Sequence, residues 1–136
     1  SIHTDFIKNW IENLNKNITI KPYSNYYLSP ISLNYISSAI LNQNLSGLIH
    51  LSGNKTISYQ DLAIKIVEIM KLSKKLINSR KLVKLNNKNK IYNVNNNLLS
   101  MVETIRDFGI KPQSISSVVK DLSKEFLNIN RYTTLR

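Results

Sequence analysis

Residues 18–70 run through one fixed order of elements: a short strand, a Ser-Pro corner, a helix, a second strand and a second helix. That order commits the chain to an α/β arrangement. Ile18-Thr-Ile-Lys alternates as a half-buried strand does, and Pro22, which cannot donate to a ladder, halts it. Tyr23 to Pro30 is polar and aromatic, extended into the proline. A helix follows, with Ser29 or Ser32 as N-cap and Leu33, Ile36, Ala39 and Ile40 on its inward face. Leu48-Ile49-His50-Leu51, nearly all apolar and bracketed by Gly47 and Gly53, reads as a strand covered on both faces in a parallel sheet. Ser58-Tyr-Gln-Asp61 then opens a helix with capping-box spacing, and Leu62, Ala63, Ile66, Ile69 and Met70 form its buried stripe.

Helices flank this block. Phe6, Ile7, Trp10, Ile11 and Leu14 recur at spacings of three and four, with Asp5 placed to favour the helix amino end. Beyond it, Leu82-Val-Lys-Leu85 suggests a short strand, and Asn86 to Asn97 a polar surface loop. Leu98, Val102 and Ile105, with Leu99 and Met101 alongside, suggest another helix, closed near Phe108-Gly109. A last helix carries Ile115, Val118, Val119, Leu122, Phe126 and Leu127 on one face, capped by Ser114 or Ser116 and fraying from Arg131. The whole predicts about five helices with two to three short strands.

The 136 residues suffice for one domain or one large piece of a domain. No run approaches the roughly 18 apolar residues that span a bilayer, and the first residues lack an export signal. The absence of Cys excludes disulfides and thiolate metal sites, and fits a cytoplasmic protein. Phe6 already lies in a helical pattern behind Ser1, which points to further sequence upstream. Net charge is +11, from 19 Lys and Arg against 8 Asp and Glu, so polyanions will be attracted at low salt. Asn, Lys and Ile all have A/T-rich codons, and nucleotide bias accounts for much of that excess.

Three stretches together carry a resemblance. Tyr26-Tyr-Leu-Ser-Pro-Ile-Ser-Leu, Gly47-Leu-Ile-His-Leu-Ser-Gly53 and Ser58-Tyr-Gln-Asp-Leu-Ala-Ile-Lys are similar, in order and spacing, to the distal half of dTDP-4-dehydrorhamnose reductases. These are extended short-chain dehydrogenase/reductases, and Phe108-Gly-Ile-Lys-Pro-Gln-Ser-Ile resembles their closing segment. The resemblance implies the C-terminal part of a Rossmann-type protein, with residues 1–136 as its sugar-nucleotide-binding portion. It implies NAD(P)H as the cofactor of the full-length parent and a nucleotide-diphosphate sugar as its ligand.

In that family the Gly-rich loop and the Tyr-x-x-x-Lys pair come from the amino-terminal half. Gly47, Gly53 and Gly109 cannot make a G-x-G-x-x-G, and none of the seven tyrosines has Lys four residues later. Hydride transfer needs a held cofactor and a proton donor beside the substrate oxygen. The chain is therefore expected to bind no cofactor and perform no catalysis by itself, and to require a Rossmann-type partner half in cis or in trans. Asn25 stands where the family often has an acidic residue, and Lys90-Ile-Tyr-Asn where it often has Arg-Pro.

Asn25, Tyr26, Tyr27, Ser29 and Pro30 are the candidate substrate-binding residues, because a loop before a proline corner can project side chains toward a ligand. The plainer alternative packs the tyrosines on the sheet with hydroxyls at the rim. His50 reads as a packed, hydrogen-bonded histidine rather than a base, and with His3 it is too few for a zinc site. Asp61 and Lys65 suit an i,i+4 surface pair better than Asp61 and Glu68 suit acid-base work. Trp10 reads as core. Lys71, Lys74, Lys75, Arg80, Lys81, Lys84, Lys88 and Lys90 form the densest basic region. A solvated face is the plain reading, and a diphosphate-bearing substrate could also use one or two of these charges. The rival to the reductase is a self-contained basic interaction module, in which that region grips nucleic acid or an acidic partner, although no nucleic-acid motif fits.

Overall fold

A computed structural model of the chain describes residues 5–41, 44–83 and 98–133. Among them are five helices: α1 (Asp5–Asn15), α2 (Leu33–Leu41), α3 (Tyr59–Ile69), α4 (Val102–Phe108) and α5 (Ile115–Thr133). Tyr27–Leu28 (β1) and Ile57–Ser58 (β2) pair as a two-stranded antiparallel sheet. The class is mixed α/β, and no described helix is long and apolar enough to cross a membrane. The side chains of Phe126 and Leu127, the expected loop at 86–97, and His3, Lys84, Lys88 and Lys90 lie outside the described residues.

The described residues divide into two compact units, 5–26 with 58–83 and 27–57 with 98–133. In the first unit, α1 turns Ile11 and Leu14 inward, with Phe6, Ile7 and Trp10 half-buried, as its spacing predicts. Asn17 then takes a positive φ of 58° where the chain leaves the helix. Helix α3 starts at Ser58, whose Oγ accepts from Asp61 N (3.0 Å) and donates to Asp61 Oδ2 (2.7 Å). That cap satisfies a backbone donor otherwise orphaned at a helix end. Leu62, Ala63, Ile66 and Val67 are buried, while Ile69 and Met70 are only half-buried, so Val67 replaces the last two in the stripe.

Ile18-Thr-Ile-Lys is not a continuous strand. Instead residues 20–23 run parallel to residues 77–80, through bridges Ile20–Ile77 and Tyr23–Arg80. Ile20 N donates to Leu76 O, Asn78 N to Ile20 O, Arg80 N to Pro22 O and Ser24 N to Arg80 O, at 2.9 to 3.0 Å. The partner therefore precedes the expected 82–85 run, whose first two residues are in no strand. Asn25 explains the shift. Its side chain donates to Leu82 O (3.0 Å) and accepts from Leu82 N (2.7 Å), taking the place of a backbone partner.

In the second unit, Ser32 caps α2 by accepting from Tyr35 N (3.1 Å). Tyr35, Ile36 and Ala39 follow Ser32 on the covered side, and Leu33 and Ile40 face solvent, contrary to the expected face. The helix is rotated because Ser32 is itself buried and bonded to Gln113 and Asp121. Helix α4 differs similarly. Met101 and Thr104 are the buried positions, whereas Leu98, Val102 and Ile105 are exposed. Ser52 N donates to Met101 Sδ and Thr104 Oγ1 to His50 O, and those contacts set the rotation. Gly109, at φ 67°, ends α4 as expected. Ser114 caps α5 by accepting from Ser117 N (3.2 Å), and the helix continues through Arg131 to Thr133 rather than fraying.

Leu48–Leu51 is not a strand. Among the described residues no backbone–backbone hydrogen bond engages it, and Leu48 is 88% exposed. Only at Gly53 does the chain pair, in a parallel bridge with Gln113. A run of apolar residues supplies the composition of a covered strand, but ladder bonds need a neighbouring strand.

Candidate functional site

The five candidate residues are split between the units. Asn25 and Tyr26 belong to the first, and Tyr27, Ser29 and Pro30 to the second. Asn25 spends both ends of its amide on Leu82. Tyr26 is exposed and its ring lies 5.3 Å from that of Tyr59. Tyr59 in turn touches Phe6 (5.1 Å) and meets Trp10 edge-on (6.2 Å), while Phe6 and Trp10 form a T-shaped pair at 5.0 Å. Offset and edge contacts of this kind are the favoured aromatic geometries. Burial, with the nearby Tyr26 hydroxyl as a lesser cause, pushes the Tyr59 hydroxyl above its usual range. Trp10 is thus part of a half-buried aromatic cluster.

The basic strip of the same unit is built on the 20–23 and 77–80 pairing. The Arg80 guanidinium stacks over the Tyr23 ring at 4.4 Å, a cation–π contact. Its backbone is held on both sides by Pro22 and Ser24. Lys74 pairs with Glu68 at 2.7 Å, which holds the Glu68 carboxyl below its usual range, chiefly through the hydrogen bond. Lys71, Lys75 and Lys81 are exposed. The expected Asp61–Lys65 pair does not form among the described residues, because Asp61 bonds Ser58 instead.

In the second unit, Ser29 Oγ lies 3.5 Å from Ser52 Oγ, and Ser52 Oγ also accepts from Leu99 N (3.3 Å). Pro30 contributes its carbonyl to the close approach of Gly53. Tyr27 is half-buried in β1. His50 is hydrogen-bonded, Nδ1 to Ser100 O at 3.2 Å, but it is exposed rather than packed. If Nδ1 carries the proton for that bond, Nε2 is the free acceptor of the neutral ring.

Sequence reasoning missed the most connected polar group, the buried set Ser32, Gln113 and Asp121. Ser32 Oγ donates to Asp121 Oδ2 (2.5 Å), and Gln113 Nε2 donates to Asp121 Oδ2 (3.1 Å) and Ser32 Oγ (2.9 Å). Gln113 Oε1 accepts from Ser32 N (2.8 Å), and the Gln113 backbone pairs with Ser52 O and Asn54 N. Gln113 thereby ties α2 to α5 through its side chain and holds the 52–54 turn through its backbone. The available signal was Asp121 itself, three residues after Val118 and six after Ile115 on the apolar stripe of α5. No fully buried side-chain nitrogen or oxygen among the described residues lacks a partner, and the bonds within this set hold the unit together.

Among the described residues no three His, Asp or Glu side chains converge as metal ligands. No protein-family model, curated protein or solved structure matches the chain.

Proposed function

We propose that the chain is the substrate-binding portion of an NAD(P)-dependent sugar-nucleotide reductase of the dTDP-4-dehydrorhamnose reductase type. It works only beside a Rossmann-type cofactor domain supplied in cis or in trans. The observation that carries this reading is Leu48–Leu51, which has the composition of a covered sheet strand but, among the described residues, no backbone–backbone hydrogen bond, with Leu48 88% exposed. In the same unit, Leu33, Leu41 and Val102 are also strongly exposed. Burying a side chain of this kind is worth about 1.5 to 3 kcal/mol. A parallel sheet of a cofactor domain would satisfy both the apolar faces and the backbone groups.

The cofactor domain would also bring what the chain lacks, a Gly-rich phosphate turn and Tyr-x-x-x-Lys. This portion would contribute ligand contacts from the segment around Tyr26 and Ser29.

The test joins the chain to the polypeptide encoded immediately upstream and follows NADPH or NADH oxidation with a dTDP-4-keto-6-deoxysugar. Substrate-dependent oxidation by the joined protein, absent from either piece alone, is the expected result. An upstream polypeptide without a dinucleotide-binding unit, or a joined protein that leaves the cofactor unoxidised, would overturn the reading.

A further inference from the structure

Among the described cations of the basic strip, Arg80 combines a bonded backbone with an aromatic ring beneath its side chain. Its backbone N–H and carbonyl are both bonded in the pairing with Pro22 and Ser24, and Ser24 Oγ adds a 3.4 Å contact to the same carbonyl. Its guanidinium rests on Tyr23 at 4.4 Å. With Cζ over the ring, the guanidinium still has N–H donors to offer a further acceptor. Among the described residues no carboxylate or carbonyl takes those donors. Glu68 is spent on Lys74, and no acidic residue occurs from 69 to 102. Lys81 follows Arg80 and Lys21 precedes the paired Pro22, and both are exposed.

We infer that Arg80, oriented by Tyr23, is the anchor for a diphosphate group. A preorganised guanidinium edge presents two parallel donors to two phosphate oxygens, and it loses less rotamer freedom on binding than a free lysine does. The exposed Lys21 and Lys81 add to the positive potential of the segment without fixed geometry. A polymer track is disfavoured, since single-stranded nucleic acid uses a series of stacking rings along a basic groove. Tyr23–Arg80 is the one cation–π pair among the described residues. The inference leans on the reductase reading for the ligand attached to the diphosphate, whereas the anion chemistry belongs to Arg80.

The test is titration of the whole chain with inorganic pyrophosphate, dTDP-glucose and a single-stranded oligonucleotide at about 150 mM salt, where loose surface charge is largely screened. Arg80→Lys keeps the charge but loses the fork and the stacking, and weakens pyrophosphate binding about tenfold. Tyr23→Leu, which keeps the arginine but frees it, weakens binding about threefold. Lys75→Ala changes it by less than about twofold. Amide spectra of each variant check that the 20–23 and 77–80 pairing survives. Pyrophosphate affinity untouched by Arg80→Lys, or reduced as much by Lys75→Ala, overturns the assignment. So does an oligonucleotide that binds more tightly than pyrophosphate through the same arginine. Arg80-dependent pyrophosphate binding with no gain for dTDP-glucose supports the anion site and counts against the sugar-nucleotide reading alone.

Discussion

A methyl group at Gly53 would stand 2.9 Å from Ser29 Oγ and 3.0 Å from the carbonyl oxygen of Pro30. The glycine thus marks where the 52–54 turn passes under the Ser-Pro corner. Ser29 can rotate away, at the loss of its contact with Ser52, but the Pro30 carbonyl is backbone and can yield only by moving the chain. Gly53→Ala should therefore destabilise the protein by about 1 to 3 kcal/mol, the usual cost of overpacking. Chemical denaturation measures it, and pairing the change with Ser29→Gly should recover only part of the loss.

Gln113 is the residue whose removal should cost most. Replacing it by Leu leaves Ser32 N without its acceptor and takes one of two donors from the buried Asp121 carboxylate. Unpaired buried polar groups cost about 1 to 3 kcal/mol each, more when charged, so a loss of about 2 to 4 kcal/mol is expected. Gln113→Glu provides the control of similar size. It sets a second carboxyl group beside Asp121 in place of the amide donor and should also be destabilising. A Gln113→Leu variant as stable as the parent by urea titration would show that the network contributes nothing.

Ser58→Ala removes the acceptor for Asp61 N and the donor to Asp61 Oδ2. A lost N-cap typically costs about 1 kcal/mol. Ser58→Thr should keep most of that stability, and the comparison of the two in thermal unfolding separates the hydroxyl from the space it fills.

The Tyr59 hydroxyl provides a pH test of the aromatic cluster. Its folded-state pKa is raised above the ordinary 10.0, by burial first and by Tyr26 second. The neutral hydroxyl is therefore favoured by folding. Its contribution to stability is complete below pH 10 and is lost as pH rises through the folded-state value. Tyrosinate absorbance should show late-titrating groups that disappear in part in Tyr59→Phe. Tyr35, also raised by burial, should account for the remainder.

What could be read from the amino acids depended on whether the deciding partner was local. The Ser58 cap, the Gly109 stop and the α1 stripe are set within one or two turns, and each appears where spacing places it. The rotation of α2 and α4 is set by Gln113, Asp121, Ser52 and His50, tens of residues away, and spacing alone placed Ile36 and Ala39 on the covered side but also Leu33, Ile40, Val102 and Ile105, which are not. Likewise Arg80 was one cation in a run until the pairing of residues 20–23 with 77–80 put Tyr23 beneath it. Of the candidate ligand residues, Asn25 is the plainest lesson. A polar side chain ahead of a proline corner looks available, yet its amide serves Leu82 as a substitute backbone partner.

Leu48 and Val102 lead to the last prediction. Both are largely exposed, at 88% and 68%, and neither supports the fold of its own unit. Replacing either with Glu should change stability by no more than about 0.5 kcal/mol, as for other surface positions. If this face is where a cofactor domain docks, the same changes should abolish reductase activity of the joined protein, because a carboxylate would be desolvated without a partner. They should also lower dye binding and self-association of the isolated chain, since exposed apolar surface drives both. Light scattering and reductase assays on the two variants measure these effects. Full activity in Leu48→Glu would mean that the 48–51 segment stays in solvent even in the working enzyme, and the docking face would have to lie elsewhere.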